Sequence, residues 1–316
     1  MQQFLYHILR FVFLLISKLP FGVLYRLSDL LFLLVYHVAR YRRRLVWKNL
    51  HTSFPEKDTD ELKSIERDFY HFFCDYLHET IKLLSISKEE LEKHVEFRNL
   101  NVVEDYFEKG RDCAGILGHY GNWEWLSTTN IGFRRYRDAV IGLIFHPLYN
   151  KAFNQLFLDI RQSTGGICIP KQNILRYLLG FKREGRKSLV GYISDQGPKW
   201  ENIHLWLDFL NHETPVFTGA ERIMKKMNNV VFYVDMERPQ RGKYIFTFRL
   251  LTDKPQELEE HAITRLFFQH LEQSIRREPR FYLWTHDRWK RTHKEFDERF
   301  KVENGHVLPR TNNDMP

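Results

Sequence analysis

From about residue 112 onward, short apolar runs alternate with amphipathic segments, and this alternation constrains the fold more than any other feature of the chain. The runs "CAGILG", "DAVIGLIF", "SLVGYIS", "VVFYVDM" and "YIFTFRLL" have the length and the β-branched or aromatic content of strands. Between them lie "NWEWLSTTNIGF", "NKAFNQLFLDIRQS", "NILRYLLGFKREG", "TGAERIMKKMN" and "ELEEHAITRLFFQHLEQSIRR", with the apolar spacing of helices. Strand and helix in turn predict an α/β fold whose central mixed, largely parallel sheet is flanked by helices. A chain of 316 residues, 43% of them hydrophobic, can bury such a core. Residues 57 to 96 read as amphipathic helices. With no repeat and no low-complexity linker, the expected organisation is an apolar segment over 1–40, one folded domain over 41–305 and a loose tail over 306–316.

The N-terminal segment holds two apolar stretches, "FVFLLIS" at 11 to 17 and "LLFLLVYHV" at 30 to 38. Each is short of the ~20 residues that a spanning helix needs. Cleavage as a signal peptide is not expected, because "SKLPFG" lacks a small-x-small site and the first nine residues carry no charged side chain apart from the α-amino group. "RYRRR" at 40 to 44 follows at once, as a cytoplasmic face against anionic lipid would have it. The rival is a core helix pair with a solvated basic end; apolar residues all round each stretch favour membrane attachment. The formal charge of +8 points to an acidic partner without choosing among nucleic acid, membrane and protein. Three cysteines without short spacing predict buried thiols and no disulfide framework.

His119, in "GHYGNWEW", follows a strand and precedes a helix, which places it at a carboxyl end of the sheet, where open α/β sheets bind ligands. Glu124 stands five residues on. The two side chains meet only if His119 sits in the loop and Glu124 one turn into the helix, a path that Gly118 and Gly121 permit. The carboxylate would then accept a hydrogen bond from one ring nitrogen and leave the other as a general base. From spacing alone, the plainer account of a strand-end histidine bonded to backbone stands ahead. Asp195 and Gln196, in "YISDQGP", end another strand in what is also a sound turn. Thr218 and Gly219, in "TPVFTGAERIMKK", can open a helix whose backbone amides meet an anion or carbonyl oxygen, though capping alone accounts for them. No metal is expected: His71, Cys74, His78 and Glu79 fall along one helix face, but packing explains them, and neither H-E-x-x-H nor C-x-x-C occurs. G-x-S-x-G and the phosphate-loop motifs are absent as well.

Taken in order, seven pieces resemble the bacterial lipid A biosynthesis acyltransferases, the late lauroyl/myristoyl group of the glycerolipid acyltransferase fold. They are "RRRLVWKNLHTSFPEK", with Asn49, Phe54 and Pro55 in an N-x-x-x-x-F-P pattern, "GHYGNWEW" as an H-x-x-x-x-[DE] motif, "FHPLYN", Arg161 with Gly165 and Gly166, "SDQGP", "PVFTGAERI" and "FYLWTHDRWK". The resemblance covers nearly the whole chain. It implies a membrane-associated O-acyltransferase in which His119 is the general base and Glu124 its orienting partner. Arg161, Asp195, Gln196, Thr218 and Gly219 are implied in substrate binding, with Arg161 and the amides near Thr218 and Gly219 as oxyanion donors. The donor would be an acyl carrier protein thioester, or acyl-CoA, and the acceptor a lipid hydroxyl. No cofactor and no nucleic acid are implied, and the location would be the inner membrane with the catalytic domain on the cytoplasmic side.

Many members carry arginine in the place of His146 and a basic residue where Asp287 stands. A lipid A precursor is therefore the default acceptor, with an amino-acid lipid, glycolipid or pigment as alternatives. An acyl-CoA-dependent lysophospholipid acyltransferase would use the same dyad. A basic membrane- or nucleic-acid-binding module would need no His119, and an esterase would pass the acyl group to water.

Overall fold

A computed structural model describes residues 2–303 and 305–310. The chain opens with α1 (Gln2–Ser17) and α2 (Phe21–Phe32), which runs on through a π-helical turn at Leu33–Val38. Helices α3 (Arg43–Ser53), α4 (Thr59–Lys82) and the single turn α5 (Lys88–Leu91) follow, then β1 (Val95–Arg98) and α6 (Leu100–Glu108). The expected alternation comes next: β2 (Cys113–Leu117), a 3-10 helix at Trp123–Gly132, β3 (Val140–Phe145), α7 (Lys151–Gln162), β4 (Ile167–Pro170), α8 (Ile174–Arg183) and β5 (Ser188–Ile193). A hairpin of β6 (Trp206–Phe209) and β7 (His212–Pro215) leads to α9 (Gly219–Met227), β8 (Val230–Gln240), β9 (Lys243–Thr252) and α10 (Ala262–Arg277). Last come α11 (His293–Arg299), β10 (Phe300–Glu303) and β11 (His306–Pro309).

Seven strands form the main sheet in the order β1-β9-β8-β2-β5-β3-β4, parallel at every pairing except β8 with β9. Every residue of β2 is buried, as a central strand with helices over both faces must be. The four-residue strands β1 and β4 escape the sequence reading because four residues are too few to show a period. Residues 306–309, expected within a loose tail, instead pair antiparallel with β10; backbone hydrogen bonding to Phe300–Glu303 holds them. Residues 311–316 of that tail lie outside the described residues.

The N-terminal helices dock on the domain. Because α2 is continuous with the π-helical turn, Phe21–Val38 forms one apolar helical stretch of 18 residues, long enough by length and composition to cross a membrane. One ridge of it is polar and bound to the domain: Tyr25 Oη donates to Glu79 at 3.0 Å, Ser28 Oγ to Asp75 at 2.7 Å, and Arg241 holds Asp29 at 2.7 Å.

Candidate active site

Strand register builds the site. β2 and β5 are parallel neighbours with Leu117 opposite Ile193, so the two chains leave the sheet side by side, and Ser194 N–H reaches Leu117 O at 3.0 Å. Two residues further along each, His119 and Asp195 come together. The imidazole Nδ1–H donates to Asp195 Oδ1 at 2.7 Å. Gln196 Nε2 donates to His119 Nε2 at 3.3 Å. This pattern fixes the tautomer: the proton is on Nδ1, and Nε2 keeps a lone pair at the side chain's exposed edge. Trp123 sets its ring edge-on against the imidazole, with centroids 4.9 Å apart.

The loop between β2 and Trp123 needs its glycine. Gly121 has φ +66°, and a Cβ there would lie 1.5 Å from Met236 Cε. Asn122 is fully buried and donates to Glu79 Oε2 at 2.8 Å, while Trp125 Nε1 donates to Glu79 O at 3.1 Å. The "GNWEW" turn is thus pinned to α4.

Glu124 does not play the part expected of it. Both its carboxylate oxygens are engaged by Arg161 of α7, from Nε at 2.7 Å and Nη2 at 2.6 Å, and Asp195 holds the imidazole nitrogen in its stead. The reason is local geometry. Successive residues of a 3-10 helix are about 120° apart, so with Trp123 facing His119 the next side chain turns toward α7. Burial works against the Arg161 charge, but the bond to Glu124 overrides it and raises the guanidinium's pKa. The pair lines a partly open crevice of about 50 Å³ whose other walls include Leu117, Trp123, Leu143 and Ile193.

Asp195 is almost fully buried, and burial alone would raise its pKa. The attraction of His119 when it is protonated, the hydrogen bonds from it and the Arg288 charge outweigh that and hold it below the usual carboxylate range. Arg288 is 2% exposed; Nη2 donates to Pro215 O at 2.7 Å, while Nε and Nη1 have no hydrogen-bond partner among the described residues. Burial lowers its own pKa. His286 stands nearby, pushed down to about 4 by burial, with Asp195 pulling up against it and the Arg288 and His119 charges pushing further down.

The segment bearing these two residues is laid on the loop that carries His119 by main-chain bonds. Leu283 N–H donates to His119 O at 3.1 Å and Gly121 N–H to Phe281 O at 2.8 Å, with a bridge between Tyr120 and Tyr282. From the other side, Asn49 of α3 donates to Trp284 O at 2.9 Å and His286 O at 3.0 Å, and Arg42 donates to Thr285 O at 2.8 Å. Phe54 meets Trp284 edge-on. The motif residues Asn49 and Phe54 therefore grip one turn. Sequence reading quoted "WTHDRWK" as a motif but missed His286 and Arg288 as site groups; a histidine and an arginine two apart amid aromatic residues were the available signal.

Thr218 and Gly219 open α9. Since α9 descends into the first residues of β8, its start lies on the same side of the sheet as His119. No hydrogen bond among the described residues joins either to His119 or Asp195. Nor do any three His, Cys, Asp or Glu side chains among the described residues gather as a metal site. All three cysteines are free and buried, and burial pushes the Cys168 thiol up to about 11 and Cys74 to about 12, so neither supplies a thiolate nucleophile.

A buried carboxylate, an oriented imidazole whose Nε2 lone pair faces only the Gln196 amide, and an adjacent apolar crevice suit proton abstraction from a hydroxyl beside an apolar substrate chain. A family model described as bacterial lipid A biosynthesis acyltransferase matches residues 1–291. A lipid A biosynthesis acyltransferase of Haemophilus influenzae is 20% identical over 275 residues, which cover 87% of this chain and 84% of that protein. The family match takes in the whole seven-stranded sheet and each residue of the site, and the chain belongs to the bacterial lipid A biosynthesis acyltransferase family.

Proposed function

We propose that this chain is a membrane-associated O-acyltransferase that moves a fatty acyl group from a thioester to a hydroxyl of a lipid A precursor or related envelope lipid. The observation that carries the reading is the Asp195–His119 bond, which leaves Nε2 basic next to Trp123, a wall of the largely apolar crevice. The acceptor hydroxyl displaces the Gln196 amide from Nε2. As its oxygen attacks the thioester carbonyl, the proton passes to Nε2 and the imidazolium is stabilised by Asp195, which stays ionised. Collapse of the tetrahedral intermediate breaks the C–S bond, and the Nε2 proton goes to the departing thiolate. The developing oxyanion needs donors, each worth about 3 kcal/mol of barrier. Arg161 Nη1, which Glu124 leaves free, is one, and the amides at Thr218 and Gly219 are others. Glu124 serves here by holding Arg161, not by touching the base.

Acyl carrier protein is the proposed donor, its acidic surface meeting a chain of net charge +8. The anchor lies on the cytoplasmic face of the inner membrane and does not cross it, because a spanning α2 would have to carry Asp29 and the polar ridge bonded to Glu79 and Asp75 into hydrocarbon. The test is incubation of membrane-bound wild type and His119→Ala with labelled acyl carrier protein thioester, or acyl-CoA, and total lipid extract, followed by mass spectrometry. An acylated lipid made by wild type and lost in the variant supports the transferase and identifies donor and acceptor. Release of free acid alone, or equal transfer by His119→Ala, overturns it.

A further inference from the structure

The loop after β3, "FHPLYN", has no part in the chemistry above, yet it is built to expose apolar side chains. Tyr149 is fully exposed at 102%, Leu148 is 48% exposed and Phe153, in the first turn of α7, 39%. This is not slack chain. Asn154 Oδ1 accepts from Leu148 N–H at 2.9 Å, and Asn150 Oδ1 accepts from Ala152 and Phe153 N–H, so two asparagines brace the loop with its apolar tip outward.

Tyr6 and Arg10 of α1 both bind Asp159 of α7. Lys82 donates to Leu19 O just past α1, and its neighbour Leu83 accepts from Ser163 at the end of α7. The C-terminal ends of α1 and α7 are therefore together and the two helices run in the same sense, which brings the start of α1 toward the loop. That start is apolar and exposed: Phe4 is 71% exposed and Phe11 64%. Neither element carries an acidic side chain outside Asp159: there is none before Asp29 and none between residues 139 and 158, whereas Arg10, His146 and Lys151 are basic.

We infer that Leu148, Tyr149 and Phe153 insert into an anionic lipid surface together with α1, as a second membrane contact on the catalytic domain itself. The inference rests on the membrane-associated reading above. Its occupant is lipid because an apolar tip flanked only by basic groups matches a headgroup and acyl-chain boundary. Its consequence concerns the crevice: Leu143 and Ile144, which line it, are the residues of β3 that lead into this loop. An inserted loop opens the crevice onto the bilayer, so that a lipid chain reaches it without crossing water.

The test uses Tyr149→Cys labelled with an environment-sensitive fluorophore; the three native cysteines are buried and do not compete. On phosphatidylethanolamine–phosphatidylglycerol vesicles the label's emission moves to the blue and is quenched by lipids spin-labelled in the acyl chain. A label at Arg186→Cys, at the opposite end of the sheet, does neither. Unchanged emission at 149 while the protein co-sediments with the vesicles overturns the loop insertion and leaves membrane attachment through α1 standing; no co-sedimentation overturns both. In the same preparation, Leu148→Glu with Tyr149→Glu lowers transfer to a vesicle-borne acceptor by about tenfold or more and leaves transfer to a detergent-dispersed acceptor unchanged. Equal loss in both formats marks the loop as structural and refutes the proposal, and absence of transfer by wild type in detergent is a failure of the transferase reading alone.

Discussion

Asp195 carries its charge in a place almost closed to water, and that charge decides what His119 can do. A neutral partner could still orient the ring but would not stabilise the imidazolium that forms as the hydroxyl proton arrives. Asp195→Asn is therefore expected to lower kcat by about 10²- to 10⁴-fold with little change in KM for either substrate. Glu124→Gln frees Arg161 instead and changes KM for the thioester together with kcat. Steady-state kinetics on the two variants separate the roles. A kcat for Asp195→Asn within a few-fold of wild type would show that the negative charge beside His119 is dispensable.

At the scale of elements, the loop that carries His119 and the turn laid on it are held by two helices that precede the loop in the chain by more than 30 residues. Glu79 of α4 receives Asn122, Tyr244 and Arg238 as well as Tyr25 of α2, so the anchor and the loop share one buried carboxylate. Asn49 of α3 does the equivalent for the turn carrying His286 and Arg288. Asn49 is 3% exposed, and its amide donates to Trp284 O and to His286 O, the second of which also accepts from Arg288 N–H. Asn49→Ala leaves both short of a donor, at a cost of about 1–3 kcal/mol. Thermal unfolding is expected to show a lowered Tm, and Asn49→Asp, which keeps the size but loses the donors, is expected to be no better. A Tm equal to wild type for either would remove Asn49 as the clasp of this turn.

For the whole molecule, half-buried histidines set how stability follows pH. Burial lowers the pKa of His286 to about 4, and it lowers those of His71, His94 and His212 as well. A histidine with a depressed folded-state pKa takes up its proton more readily when unfolded. Its contribution is complete above the unfolded value, about 6.5, and is lost as pH falls from there through the folded value. The Tm of wild type is thus expected to fall between pH 6.5 and 4, before the paired carboxylates Asp75 and Asp195 begin to protonate. His286→Gln is expected to flatten that slope. A Tm of wild type that stays level over this window, or a variant with an unchanged slope, would contradict the assignment.

Much of this molecule is legible in the chain itself. Local spacing determined the strands β2, β3, β5, β8 and β9, the helices between them, and the position of His119 just past a central strand, because side-chain periodicity is set by neighbours in sequence. Which carboxylate meets His119 is a different kind of question. Glu124 is five residues away and Asp195 is 76, and proximity in sequence pointed to the wrong one. The pairing of Leu117 with Ile193 brings Asp195 to the ring, while the 120° turn after Trp123 takes Glu124 to Arg161. Asn49 and His286, 237 residues apart, are likewise joined only once α3 packs on the turn after α10. The chain determined its elements and the place of His119 at a strand end; strand register and helix packing, which depend on residues far apart, decided that imidazole's partner and the shape of the wall behind it.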